Sequence, residues 1–154
     1  MELGDFLSRD AVITDIKASS KKQVLQALSE KASELTGLSA REIFDTIVQR
    51  EKLGSTGVGN GVAIPHGKFG KYDRITGVFV RLEEPVDFDA LDDQPVDMIM
   101  MLLAPEEAGA DHLKALSRVA RAMRDRQRMQ AIRNTTDADT IHALMTDPAQ
   151  SDAA

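Results

Sequence analysis

A chain of 154 residues with 42% hydrophobic and 29% charged side chains is long enough for one domain with a sizeable core, and too ordinary in composition for wholesale disorder. It has no cysteine, which removes disulfides, thiolate metal sites and thiol nucleophiles together. A net charge of −6 disfavours nucleic acid as the main partner, and the longest apolar run, Met98 to Ala104, falls far short of the roughly 20 residues that cross a bilayer.

The opening MELGDFLSRD is acidic where a secretory signal needs a basic flank, so a cytoplasmic protein without membrane insertion is expected. Residues 20–36 place Val24, Leu28 and Ala32 at four-residue intervals and end at Gly37, which predicts an amphipathic helix. Ser39 with Glu42 forms a capping box before a second helix whose apolar face is Ile43, Phe44, Ile47 and Val48, with Arg50 near its end. From Gly54 the segment GSTGVGNGVAIPHGK forbids a helix and predicts a loop running into a short extended stretch, Val62–Ile64. Ile75–Leu82 and Val96–Leu103 read as strands, the second fully buried. Between them, residues 83–97 carry seven carboxylates and no base; the glycine and closing glutamate of a calcium loop are missing, so a solvated connection is expected. Helices are predicted at 111–123, 126–133 and 137–146, with a frayed tail from residue 147. The whole predicts an α/β domain spanning 1–154, with strand order open.

Glycine-rich loops hold phosphate by turning consecutive backbone N–H groups toward one anion. A nucleotide P-loop fails here, because Gly61 to Gly67 encloses five residues and Phe69 comes directly after Lys68. A dinucleotide fingerprint fails at Val62, where the third glycine belongs. What remains is a glycine-rich turn that delivers His66 between Pro65 and Gly67. A free imidazole titrates near pH ~6.5 and is a competent neutral nucleophile at cellular pH. Amides around Gly57, Gly59, Gly61 and Gly67 are the candidates to stabilise a phosphoryl group on it. No cofactor is called for, and three widely separated histidines without H-E-x-x-H do not predict a metal site.

The stretch REKLGSTGVGNGVAIPHGK, residues 50–68, closely resembles the active-site signature of the mannitol/fructose-type enzyme IIA domains of the bacterial phosphotransferase system. The run LLAPEEAGADHLKALSRVARAMRD, residues 102–125, is most similar to the nitrogen-regulatory branch of that family. The resemblance implies a mixed β-sheet flanked by helices on both faces. It also implies that His66 accepts a phosphoryl group, on Nε2, from a histidine carrier protein, HPr or its nitrogen-branch paralogue, with the other ring nitrogen held by backbone. Arg50 and His112 match the residues implied to lie beside the phosphohistidine. The resulting expectation is a stoichiometric phosphocarrier that controls regulatory target proteins through its phosphorylation state. The alternative is a sugar-uptake IIA subunit passing phosphate to a IIB partner.

Outside the signature, His142 reads as structural, and Met98, Met100, Met101 and Met123 as core fillers. Val58, Val62, Ile64 and Phe69 are expected to form a shallow apolar surface around His66, which the unphosphorylated form would use to grip targets. Residues 111–133 carry seven bases against Asp111 and Asp125. The bland reading is a solvated face that balances the acidic 83–97 segment; the sharper one is a docking surface for an acidic partner, with DNA the weakest.

Overall fold

The apolar run from Met98 is the centre of the molecule. In the computed structural model, which describes residues 1–148, it lies in strand β6 (Val96–Pro105). Strand β5 (Thr76–Val86) runs antiparallel on one side of it. On the other side lie β3 (Val62–Ala63) and then β4 (His66–Phe69), both parallel to it. Strand β1 (Val12–Ile13) is parallel to β5 at one edge, and β2 (Gly57–Gly59) is antiparallel to β3 at the other. The six-stranded sheet is therefore mixed.

Side chains alternate across a strand, so a continuous apolar run serves a sheet covered on both faces. Met98, Met100 and Leu102 enter one core with Phe79, Val62 and Ile64. Ile99, Met101 and Leu103 enter the other with Val78, Val80 and Ala63. The second core is closed by α1 (Lys21–Thr36) and α2 (Ala40–Lys52) through Val24, Leu28, Ile43 and Ile47. The first is closed by α3 (Ala110–Arg124), α4 (Arg126–Arg133) and α5 (Ala138–Thr146) through Val119, Met123, Ile132 and Ile141. The expected mixed sheet with helices on both faces is what the chain forms.

Helix boundaries are set by their caps. Ser20 accepts from Gln23 N–H, Gly37 ends α1 in the left-handed region at φ 79°, and Ser39 accepts from Glu42 N–H at 3.3 Å. Three expectations need correction. The segment from Gly54 is no simple loop, because Asn60 (φ 58°) and Gly61 (φ 79°) make a two-residue turn that joins β2 and β3 as a hairpin. The solvated connection is shorter than expected, because β5 continues through Glu83 and Glu84 to Val86. The chain beyond Val86 lies over the edge of β2, with Leu91 N–H donating to Gly57 O at 3.2 Å and Asn60 N–H to Asp92 Oδ2 at 3.0 Å, which protects an otherwise open sheet edge. Finally, Val62, Ile64 and Phe69 are buried core residues and only Val58 of the expected apolar surface is exposed. The expected frayed tail lies, from residue 149, outside the described residues; Asp147 O accepts from Arg128 at 3.0 Å.

Candidate functional site

His66 opens β4, and strand alternation decides which way it faces. Phe69 belongs to the core under α1 and α2, and a Cβ added to Gly67 would lie 3.0 Å from Thr46 Cγ2 of α2. His66 and Lys68 consequently face the α3 layer, in register with Leu102 and Ala104 of β6. Pro65 O accepts from Leu102 N–H at 2.9 Å, and the turn this sets places Ile64 O 2.8 Å from His66 Nδ1. A carbonyl only accepts, so Nδ1 carries the proton and the lone pair is on Nε2.

His112 is the third residue of α3 and is 6% exposed. Its ring centroid lies 5.9 Å from that of His66, with the ring planes inclined at 69°. Its Nε2 is buried and makes no hydrogen bond among the described residues. Such an orphaned nitrogen costs about 1–3 kcal/mol and is worth keeping where a further acceptor or donor comes to meet it. Burial, reinforced by the neighbouring His66 and Lys68, holds the His112 imidazole below its ordinary pKa, which favours the neutral ring.

Arg50 leaves the last turn of α2, in the opposite layer, and donates from Nη1 to Gly54 O at 2.9 Å; no other hydrogen bond or ion pair of this side chain is formed among the described residues. Gly57 packs against Ala90, where a Cβ would meet that residue's Cβ at 2.8 Å. Gly59 precedes the hairpin turn and Gly61 is its second residue, beside the carboxylates of Asp92 and Asp97 respectively. Val62 pairs with Met98 and His66 with Leu102, so the turn is about 13 Å along the sheet from His66 at ~3.3 Å per residue. Gly67 follows His66 directly in β4.

Two residues were not among the sequence candidates. Lys68 shares the His66 face and acts electrostatically on His112; counting two residues on from His66 in an extended segment would have found it. Glu51 is buried and accepts from Thr56 N–H at 3.1 Å, from the Thr56 hydroxyl and from Lys21 Nζ at 2.9 Å. It pins the loop after α2 to the start of α1, and its neighbour Thr56 gave no signal by spacing.

The arrangement amounts to one imidazole with a fixed tautomer and a free nucleophilic nitrogen, a second imidazole with an unspent ring nitrogen, and a lysine. The family described as "Phosphoenolpyruvate-dependent sugar phosphotransferase system, EIIA 2" matches residues 5–147. A protein of Bradyrhizobium diazoefficiens named "Nitrogen regulatory protein" is 50% identical over 148 residues, 96% of this chain and 97% of that protein. One of the same name from Escherichia coli K12 is 39% identical over 96% of this chain and 91% of its own length. The crystal structure of the nitrogen regulatory protein IIA-Ntr from Neisseria meningitidis superposes with a TM-score of 0.89 at 36% identity, covering 94% of this chain and 99% of that one. The chain belongs to the EIIA 2 family of the phosphoenolpyruvate-dependent sugar phosphotransferase system, and these relatives lie in its nitrogen-regulatory branch.

Proposed function

We propose that this chain is a phosphohistidine carrier and regulator. Nε2 of His66 accepts a phosphoryl group from a carrier histidine of the HPr type, in its nitrogen-branch form, and the phosphorylation state controls regulatory target proteins. The observation that carries this reading is the bond from His66 Nδ1–H to Ile64 O. It reserves Nε2 for attack on phosphorus and keeps the ring from turning away.

In the transfer, the P–N bond of the carrier breaks as the bond from His66 Nε2 to phosphorus forms. Little covalent work is left to the protein beyond alignment and neutralisation of charge on the phosphoryl oxygens. His112 and Lys68 are suited to that work, His112 by its orphaned nitrogen and Lys68 by a charge held on the same face. Arg50 would join them with the guanidinium donors it does not spend on Gly54. The names of the relatives favour a regulator over a sugar-uptake IIA subunit that passes phosphate to a IIB partner.

Incubation with phosphoenolpyruvate, enzyme I and the carrier is expected to label the chain once, through an acid-labile bond, and His66→Ala to take no label. Stoichiometric labelling of His66→Ala would defeat the assignment. Onward transfer from the labelled chain to a purified IIB protein, at a rate matching its own charging, would favour the sugar-uptake reading.

A further inference from the structure

Helix α3 handles its charges unlike the helices on the other face of the sheet. In α1, Lys31 lies 3.7 Å from Glu34, and in α2, Arg41 lies 3.7 Å from Asp45, so each of those helices holds an ion pair at helical spacing. Along α3, Lys114, Arg118, Arg121 and Arg124 recur at spacings of four, three and three, and Arg126 stands at the start of α4. None of these five forms an ion pair among the described residues. Their neighbours at helical spacing are mostly one another, an arrangement that costs a few tenths of a kcal/mol per like-charged pair. The buried side of the helix is His112, Ala115, Val119, Ala122 and Met123, which turns the cations outward. The ridge starts beside Leu113, an exposed leucine next to His112. At its far end is a hollow of about 320 Å³ between Arg124, Arg126 and Arg133, with Met123 and Met129 in its lining.

We propose that this ridge is a docking track for an acidic segment of a partner protein, with an apolar side chain of that segment seated in the methionine-lined hollow. Charge complementarity selects the occupant. From residue 114 to residue 124 the track is about 15 Å long at ~1.5 Å per residue, the reach of a short peptide segment. A long polyanion such as nucleic acid would also meet the rest of a chain whose net charge is −6, whereas a short acidic segment meets the ridge alone. Flexible thioethers flanked by guanidinium groups suit an apolar anchor with carboxylates on either side. The contact uses neither His66 nor Lys68, which lie on β4.

The test uses the full chain, unphosphorylated, labelled with ¹⁵N and titrated with a synthetic peptide that alternates pairs of glutamate with leucine. A single-stranded oligonucleotide of equal charge is titrated in parallel. Saturable shifts confined to residues 113–133 are expected with the peptide, at least about 10-fold weaker binding in the triple variant Arg121→Gln, Arg124→Gln, Arg126→Gln, and weaker binding of the oligonucleotide. The same variant is expected to melt at an unchanged or higher temperature, because it relieves repulsion and removes no internal bond. Equal peptide affinity in the variant, absence of saturable binding, or tighter binding of the oligonucleotide would overturn the proposal. A lower melting temperature would also overturn it, by showing that the arginines serve the fold.

Discussion

The imidazole of His112 ties the site to pH. Buried beside His66 and Lys68, it binds a proton less readily in the folded chain than the ordinary 6.5 of a free histidine would allow. As pH falls below about 6.5 the unfolded chain therefore takes up this proton first. Stability falls from there until the lower folded-state value is passed, and above about pH 6.5 His112 contributes no slope. As pH falls below about 6.5, denaturation midpoints should accordingly decline less steeply in His112→Gln than in the parent chain; parallel curves there would remove His112 as the source. Phosphorylation of His66 would place about −1.5 to −2 charges beside the same ring and favour its protonated form. An NMR titration should then find the His112 pKa raised in the phosphorylated chain. Phosphoryl transfer should be slowed about 10²–10³-fold by His112→Gln and less by Lys68→Gln, where a more mobile and better solvated charge is lost; rapid-quench charging of folded variants measures both. His66 was legible because proline and glycine frame it in sequence. Lys68 was not, because its orientation depends on an alternation that becomes visible only once residues 66–69 are known to form a strand.

Among the elements, the helices could be read closely, since serine caps at 20 and 39 and the glycine at 37 fix their ends by local bonds. The short strands could not. Two to four residues are too few for periodicity, and β2, β3 and β4 gain their pairing from β6 and from one another. The Asn60-Gly61 dipeptide was the available signal for the hairpin, and it was obscured by a glycine-rich texture that suggested a phosphate loop. The two roles predict different mutants. Gly61 has φ 79°, and a Cβ there would meet Arg133 Nη2 at 2.6 Å and Asp97 Oδ1 at 2.9 Å. Gly61→Ala should therefore strain the turn and wedge apart the Arg133–Asp97 pair, which closes at 2.9 Å, at a cost of about 1–3 kcal/mol. Charging of His66, measured well below the melting temperature, should stay within a few-fold of the parent. A stable variant that fails to accept phosphate would return the turn to the site.

At the scale of the molecule, the layer that carries His112 depends on how the chain's two ends are closed over it. Leu3, Phe6 and Leu7 enter the same core as Val119 and Met123 of α3, together with Ile141 and Met145 of α5. Phe6 O accepts from Gly77 N–H at 2.8 Å, and Leu7 O lies 2.9 Å from His142 Nε2, so the structural reading of His142 corresponds to a bond that holds the N-terminal segment. The closing piece is Arg128. Its side chain is buried, and it donates to Met145 O and Asp147 O, both at 3.0 Å, fastening α4 to the end of α5. Burial lowers its pKa while Asp125 and Asp147 oppose the shift. Removing the guanidinium would leave the terminal carbonyls of α5 without this donor and open a cavity beside them. Arg128→Ala should thus cost about 2–5 kcal/mol, roughly 2–4 °C of melting temperature per kcal/mol in a domain of this size. Arg128→Lys, which keeps a charge and loses the two-pronged geometry, should fall between. Calorimetry gives the magnitude, and amide exchange gives the location: protection should be lost first in α5 and residues 3–7, and last in β5 and β6. Should Arg128→Ala melt with the parent, the desolvation of the buried cation would have cancelled its bonds, and the layer under His112 would be held by apolar packing alone.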